Sequence, residues 1–232
     1  MNNNTNNNIN NTLGNLDVMN PAPRCPVTIL LDVSGSMSGQ PISELNAAVA
    51  QFVRETQADE AASMSVELEI ITFGSTADVV QPFTSMASVT PPAPFVAGGM
   101  TLMGAALSLA ERDLAARREL YRAQGVSSYR PWIVLMTDGR PGDNWEPVAK
   151  RLRAEAERGK FMYIGVEIGN SADHATMCQI LPTEPGPVKL QGLRFKQFFR
   201  WLSDSLKSVS ASAVSDQDNI AYPSVASWAD LA

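Results

Sequence analysis

The residues best suited to chemistry lie together in Leu30-Leu31-Asp32-Val33-Ser34-Gly35-Ser36-Met37-Ser38-Gly39. Asp32, Ser34 and Ser36 place one carboxylate and two hydroxyls at every second residue, and all three are hard oxygen donors. A set so short of charge suits a divalent cation that keeps several of its waters, with Mg²⁺ the first candidate and Mn²⁺ or Ca²⁺ sharing the same preference for oxygen. An apolar run from Val27 to Leu31 enters this loop, and Pro41 behind it suits the first turn of a helix. The loop therefore sits at the carboxyl end of a strand, where open α/β sheets hold their ligands.

Other chemistries lack their parts. Ser34 stands where a phosphohydrolase of the Asp-x-Asp type needs its second carboxylate, so a hydrolase built on Asp32 and Mg²⁺ is the weaker alternative. No Gly-x-Ser-x-Gly elbow or Gly-x-x-x-x-Gly-Lys-Ser/Thr loop occurs. The single histidine, His174, is far from the loop in sequence and reads as a surface or packing residue. The two cysteines, Cys25 and Cys178, are too few for a zinc site and read as free buried thiols. The formal net charge of −6, with no Lys/Arg run, argues against a nucleic-acid surface, and Arg112, Arg117 and Arg118 read as a solvated helix face. No apolar run is long enough for a bilayer, and the N-terminal stretch has neither the basic region nor the apolar core of an export signal, so the expected location is the cytoplasm.

The elements that must carry the loop alternate along the chain. An asparagine-rich segment, residues 1–22, reads as a disordered or linker tail. Ile42, Leu45, Val49, Phe52 and Val53 fall at helical spacing. Residues 64–73 read as a strand in which Val66, Leu68 and Ile70 alternate with Glu67 and Glu69, and Val79, Val80 and Phe83 form its antiparallel hairpin partner. A helix follows Thr101, and the apolar run 131–137 reads as a central parallel strand covered on both faces. Further strands are expected at 160–168 and 187–190, a short helix at 172–181, and a last helix carrying Phe195, Phe198, Phe199, Leu202, Leu206 and Val209 on one face. The chain then becomes Ser-rich over 211–232, either a free tail or an arm whose aromatic residues dock. The domain proper is expected over 23–210. This order predicts an α/β, Rossmann-like, doubly wound and mostly parallel six-stranded sheet with one antiparallel edge strand and helices on both faces.

Asp32-Val33-Ser34-Gly35-Ser36, with Gly98-Gly99-Met100-Thr101 and Thr137-Asp138-Gly139 after it in that order, resembles the metal-ion-dependent adhesion site of von Willebrand factor A domains. Taken alone, Thr101 reads equally as a helix N-cap and Asp138-Gly139 as a turn. The resemblance implies that Ser34, Ser36 and Thr101 contact the ion directly and that Asp32 and Asp138 act mostly through waters. It also implies an open coordination position that takes an Asp or Glu carboxylate from a protein partner. Met37, Met100, Met103, Arg140 and Trp145 flank these ligands and are candidates for the partner-binding rim, with packing beneath the loops as the competing reading for the methionines and for Trp145.

Within that family the intact Asp-x-Ser-Gly-Ser-Met, Ile71-Thr72-Phe73, Thr137-Asp138-Gly139-Arg140-Pro141 and Phe198-Phe199-Arg200-Trp201-Leu202 look most like the bacterial tellurium-resistance, TerY-like group. That likeness implies a non-enzymatic adaptor in stress response, signalling or defence, working beside a Ser/Thr kinase and a PP2C-type phosphatase. A structural subunit with an idle metal site is a further alternative.

Overall fold

The computed structural model describes residues 16–169, 172–220 and 222–230. The expected asparagine-rich tail lies mostly outside them. Strands β1 (Cys25–Asp32), β2 (Val66–Phe73), β3 (Ala77–Ser85), β4 (Trp132–Thr137), β5 (Met162–Glu167), β6 (Pro187–Leu190) and β7 (Ala229–Asp230) form one sheet in the order β3-β2-β1-β4-β5-β6-β7. The pairings β1/β2, β1/β4, β4/β5 and β5/β6 are parallel and β2/β3 is antiparallel, as the alternation predicts. The two-residue β7 is an addition that pairs antiparallel with β6.

The helices are α1 (Gln40–Gln57), α2 (Glu60–Ser65), α3 (Met103–Gln124), α4 (Glu146–Glu157), α5 (His174–Ile180) and α6 (Phe195–Ser210). Every residue of β1, β2 and β4 is buried, which requires a layer on each side of the sheet. One layer is α1 and α6, where Leu45, Val49 and Phe52 meet Phe198, Phe199 and Leu202. The other is α3, α4 and α5, where Met103, Leu107, Val148, Leu152 and Ile180 close over Leu30, Ile133 and Leu135.

The Glu67/Glu69 alternation is real but does not face water, because α3 covers that side. Glu67 is ion-paired to Arg117 (2.6 Å) and lies 3.4 Å from Arg24, with all three side chains buried, and it accepts a hydrogen bond from Tyr121 Oη. Arg117 is thus a core residue and not part of a solvated helix face. Thr28 Oγ1 donates to Glu69 Oε2 over 2.8 Å.

The segment after Ser210 packs on the domain. Trp228 is buried 4.9 Å, ring to ring, from Phe198, and Trp201 Nε1 donates to the Pro223 carbonyl (2.7 Å). Of the two readings open for 211–232, the described part follows the docked arm, so packing extends beyond the expected boundary at 210.

Candidate metal centre

The sheet order reverses direction between β1 and β4, since the chain runs outward through β2 and β3 and then returns to the other side of β1. Such a switch point opens a crevice at the carboxyl ends of the two strands. Asp32 ends β1 and Asp138 follows β4, and the register Leu31↔Met136 brings both to that crevice.

Side-chain bonds knit the loops together. Thr137 Oγ1 donates to Asp32 Oδ2 (2.6 Å), and the Ser34 amide donates to Asp32 Oδ1 (2.8 Å). Ser34 Oγ and Ser36 Oγ are 3.0 Å apart, and Ser36 Oγ donates to Asp138 Oδ1 (2.7 Å). Thr101 arrives from the third loop: a Cβ added at Gly139 would stand 3.5 Å from Thr101 Oγ1 and 4.0 Å from Asp32 Oδ2. The five residues named from the sequence therefore share one space. Asp32, Ser34 and Asp138 form its buried floor, Ser36 is exposed and Thr101 is partly exposed.

The backbone explains how the middle loop reaches this place. The Gly35 amide donates to the Gly99 carbonyl (3.1 Å) and the Gly98 amide to the Val33 carbonyl (2.8 Å), so the first and second loops are laced main chain to main chain. Gly99 has φ +77°, and a Cβ there would lie 1.8 Å from Ser75 Oγ, so only glycine fits. The Gly142 amide donates to the Thr101 carbonyl (2.8 Å), tying in the third loop.

Asp143 also positions the site, although nothing in its sequence context singles it out. Its Oδ1 and Oδ2 accept from the amides of Gly104 (2.9 Å) and Ala105 (2.8 Å) and so cap the start of α3, directly behind Thr101. Gly104 permits the approach, because a Cβ there would fall 2.7 Å from the Asn144 carbonyl oxygen.

Burial pushes the Asp32 carboxyl above the usual carboxylate range, bonds from Ser34 and Thr137 oppose this, and the neighbouring Asp138 pushes it further up. Two carboxylates thus share a crevice with three hydroxyls, an all-oxygen set that fits a hard divalent cation. The donor set remains charge-poor: among the described residues no group of three or more His, Cys, Asp or Glu could hold a metal.

The rim residues divide. Met37 and Met103 are fully buried and belong to the cores beneath the loops, so the rim reading is corrected for both. Trp145 is partly buried and packs on the core of the α3 side. Met100 is 60% exposed, and its amide donates to Ser75 Oγ (3.3 Å). Arg140 is exposed and ion-paired to Asp173 (3.0 Å). Only Met100 and Arg140 thus offer substantial surface among the five.

A family model for the von Willebrand factor type A domain matches residues 27–196. The chain belongs to this family. The type A domain fold is shared with a von Willebrand factor type A protein from Catenulispora acidiphila (19% identity, TM-score 0.60, covering 80% of this chain and 43% of that one). It is shared too with proximal thread matrix protein 1 of the mussel byssus, solved with a zinc-occupied MIDAS motif (16%, 0.56, 79% and 48%), and with manganese-loaded TRAP of Plasmodium vivax (16%, 0.51, 78% and 73%). The chain spans less than half the length of the mussel and Catenulispora chains. At these identities the likeness is one of fold. No curated protein sequence matches this type A domain chain. Among the described residues, no helix is long and apolar enough to cross a membrane.

Proposed function

We propose that the protein is a metal-dependent interaction module, not an enzyme, in which Asp32, Ser34, Ser36, Thr101 and Asp138 hold one divalent cation, Mg²⁺ in the first instance. The observation that carries this reading is the meeting of Asp32 and Asp138 with three hydroxyls at the switch point. Mussel and Plasmodium relatives whose structures are described as zinc-occupied or manganese-loaded support it.

When bound, the ion supplies an electrophilic position open to an Asp or Glu carboxylate of a protein partner. The chain's own residues do the rest. Ser34, Ser36 and Thr101 offer neutral oxygens, so the site does not cancel the ion's charge. Asp32 and Asp138 hold the hydroxyls in place and supply the negative charge. Thr137 and the Ser34 amide fix the Asp32 carboxylate in one orientation. Asp143 and Gly99 hold the loop that delivers Thr101. Met100 and Arg140 are the flanking side chains with surface to offer a partner.

The sequence resemblance to the TerY-like group is the ground for reading the module as a cytoplasmic adaptor of bacterial stress or defence complexes, with a Ser/Thr kinase and a PP2C-type phosphatase as the first partners to try. Affinity capture from the native host, with and without a chelator and with wild type beside Asp32→Ala, tests the reading. Partners lost under both treatments are the expected result. Capture that ignores both treatments would indicate an idle site, and phosphoester turnover abolished by Asp32→Ala would indicate a hydrolase.

A further inference from the structure

Helix α5 presents a second set of reactive side chains, unconnected with the metal loops in the function proposed above. Cys178 is an exposed free thiol, contrary to the buried state expected of it, and its Sγ lies 3.4 Å from His174 Nε2. The other ring nitrogen, His174 Nδ1, lies 2.8 Å from Oε1 of Glu167, whose side chain is 6% exposed at the end of β5. His174 and Cys178 are one helical turn apart and so share a face. Met177 and Ile180 are buried and anchor α5 against the sheet, leaving that face to solvent.

A carboxylate accepts and cannot donate, so it fixes the hydrogen of neutral His174 on Nδ1 and leaves the Nε2 lone pair directed at the sulfur. Nucleophile, base and orienting acid thus stand in the order that activates a thiol. Other charged groups nearby are Asp173, which holds Arg140 and accepts from Thr176 Oγ1 (2.6 Å), Lys189, the register partner of Glu167 on β6, and Arg153 from α4, which donates to the Cys178 carbonyl (3.0 Å).

We propose that Cys178 is a thiol-modification site, activated by His174 and Glu167, whose substrate class is a low-molecular-weight disulfide. The thiol proton passes to His174 Nε2, and the sulfur attacks one sulfur of the disulfide. The S–S bond of the reagent breaks, and its second sulfur leaves as a thiolate that takes the proton from His174. One disulfide is consumed, one mixed disulfide forms on Cys178 and one small thiol is released, with no outside oxidant. His174 and Glu167 are positioning and proton-holding residues in this step.

The test follows the reaction of the full chain with dithiodipyridine across pH, comparing wild type, His174→Gln, Glu167→Gln and Cys178→Ser, with circular dichroism to show that each is folded. Wild type is expected to lose one thiol per chain, and Cys178→Ser none, because Cys25 is buried and burial pushes its thiol up to about 12. At about pH 6.5, where ordinary thiols are protonated, wild type should react about tenfold faster than His174→Gln, with Glu167→Gln between them and the gap closing as pH rises. Equal rates for wild type and His174→Gln at every pH would overturn the proposal and leave Cys178 as an ordinary exposed thiol.

Discussion

Ser36 Oγ donates to Asp138 Oδ1 over 2.7 Å, joining residues 102 positions apart in the chain. This contact binds the loop after β1 to the loop after β4, and it couples two different consequences of removing the Asp138 charge. Asp138 raises the Asp32 carboxyl through like-charge repulsion, so Asp138→Asn relieves a cost borne by the fold while withdrawing a negative charge from the cation. The melting temperature is expected to stay level or rise while affinity for Mg²⁺ or Mn²⁺ falls at least about tenfold. Calorimetric titration and thermal denaturation on the same sample check the two halves, and parallel losses in both would contradict this account.

The two glycines of the Thr101 region separate geometry from helix propensity. Gly104 lies in the first turn of α3, where alanine is ordinarily the better helix former. Its added Cβ would fall 2.7 Å from the Asn144 carbonyl oxygen, and that at Gly99 1.8 Å from Ser75 Oγ at φ +77°. Gly104→Ala and Gly99→Ala should each destabilise by about 1–3 kcal/mol and weaken ion uptake. Urea denaturation measures the first effect, and a stabilised Gly104→Ala would show that α3 does not press on the 142–145 loop.

Glu69 supplies a pH dependence. Burial raises its carboxyl well above the usual range and Asp113 raises it further, while Thr28, Arg112 and Arg117 oppose the shift; its Oε1 has no hydrogen-bond partner among the described residues. A carboxyl raised in the folded state contributes stability below its unfolded value near about 4.3, and that contribution is lost as pH climbs toward the folded value. Wild-type stability should therefore decline relative to Glu69→Gln from about pH 4.5 upward, the difference levelling off once the folded-state carboxyl has ionised. Denaturant midpoints across this range check it; a constant difference between the two proteins would show that Glu69 is charged throughout.

Glu67, two residues before Glu69, is held in a buried ion-pair cluster. Removing it leaves Arg117 and Arg24 buried beside an unpaired Tyr121 hydroxyl contact. Glu67→Ala is expected to cost about 3–5 kcal/mol, the usual loss when one partner of a buried pair is deleted. A loss below about 1 kcal/mol, the level of a surface pair, would mean that water reaches this cluster.

These cases also mark what the amino-acid order made readable. The run 131–137 and the strand before Asp32 were legible because burial on both faces leaves a continuous apolar signature, and the three loop motifs could be placed because each follows a strand or opens a helix. Local order could not tell which side of β2 was solvated: Glu67 and Glu69 alternate as a wet face would, and Arg24, Arg117 and Tyr121 around Glu67, with Thr28 beside Glu69, come from distant segments. Asp143 was likewise unreadable, since its role depends on a loop folding back onto α3. His174 and Cys178 both fall in the short helix expected at 172–181 but were read separately, and Glu167 joins them across a loop whose path the sequence does not state. The docking of Trp228 on Phe198, one of the two readings open for 211–232, depends on a chain reversal that serine-rich composition does not specify.

Calorimetric titration of Mg²⁺ and Mn²⁺ into the full chain, with Asp32→Ala as its pair, tests the central claim most directly. Uptake of about one ion per chain at millimolar or lower concentration, absent in Asp32→Ala, is the predicted result. No heat from wild type at millimolar metal, or equal heat from the folded variant, would contradict it.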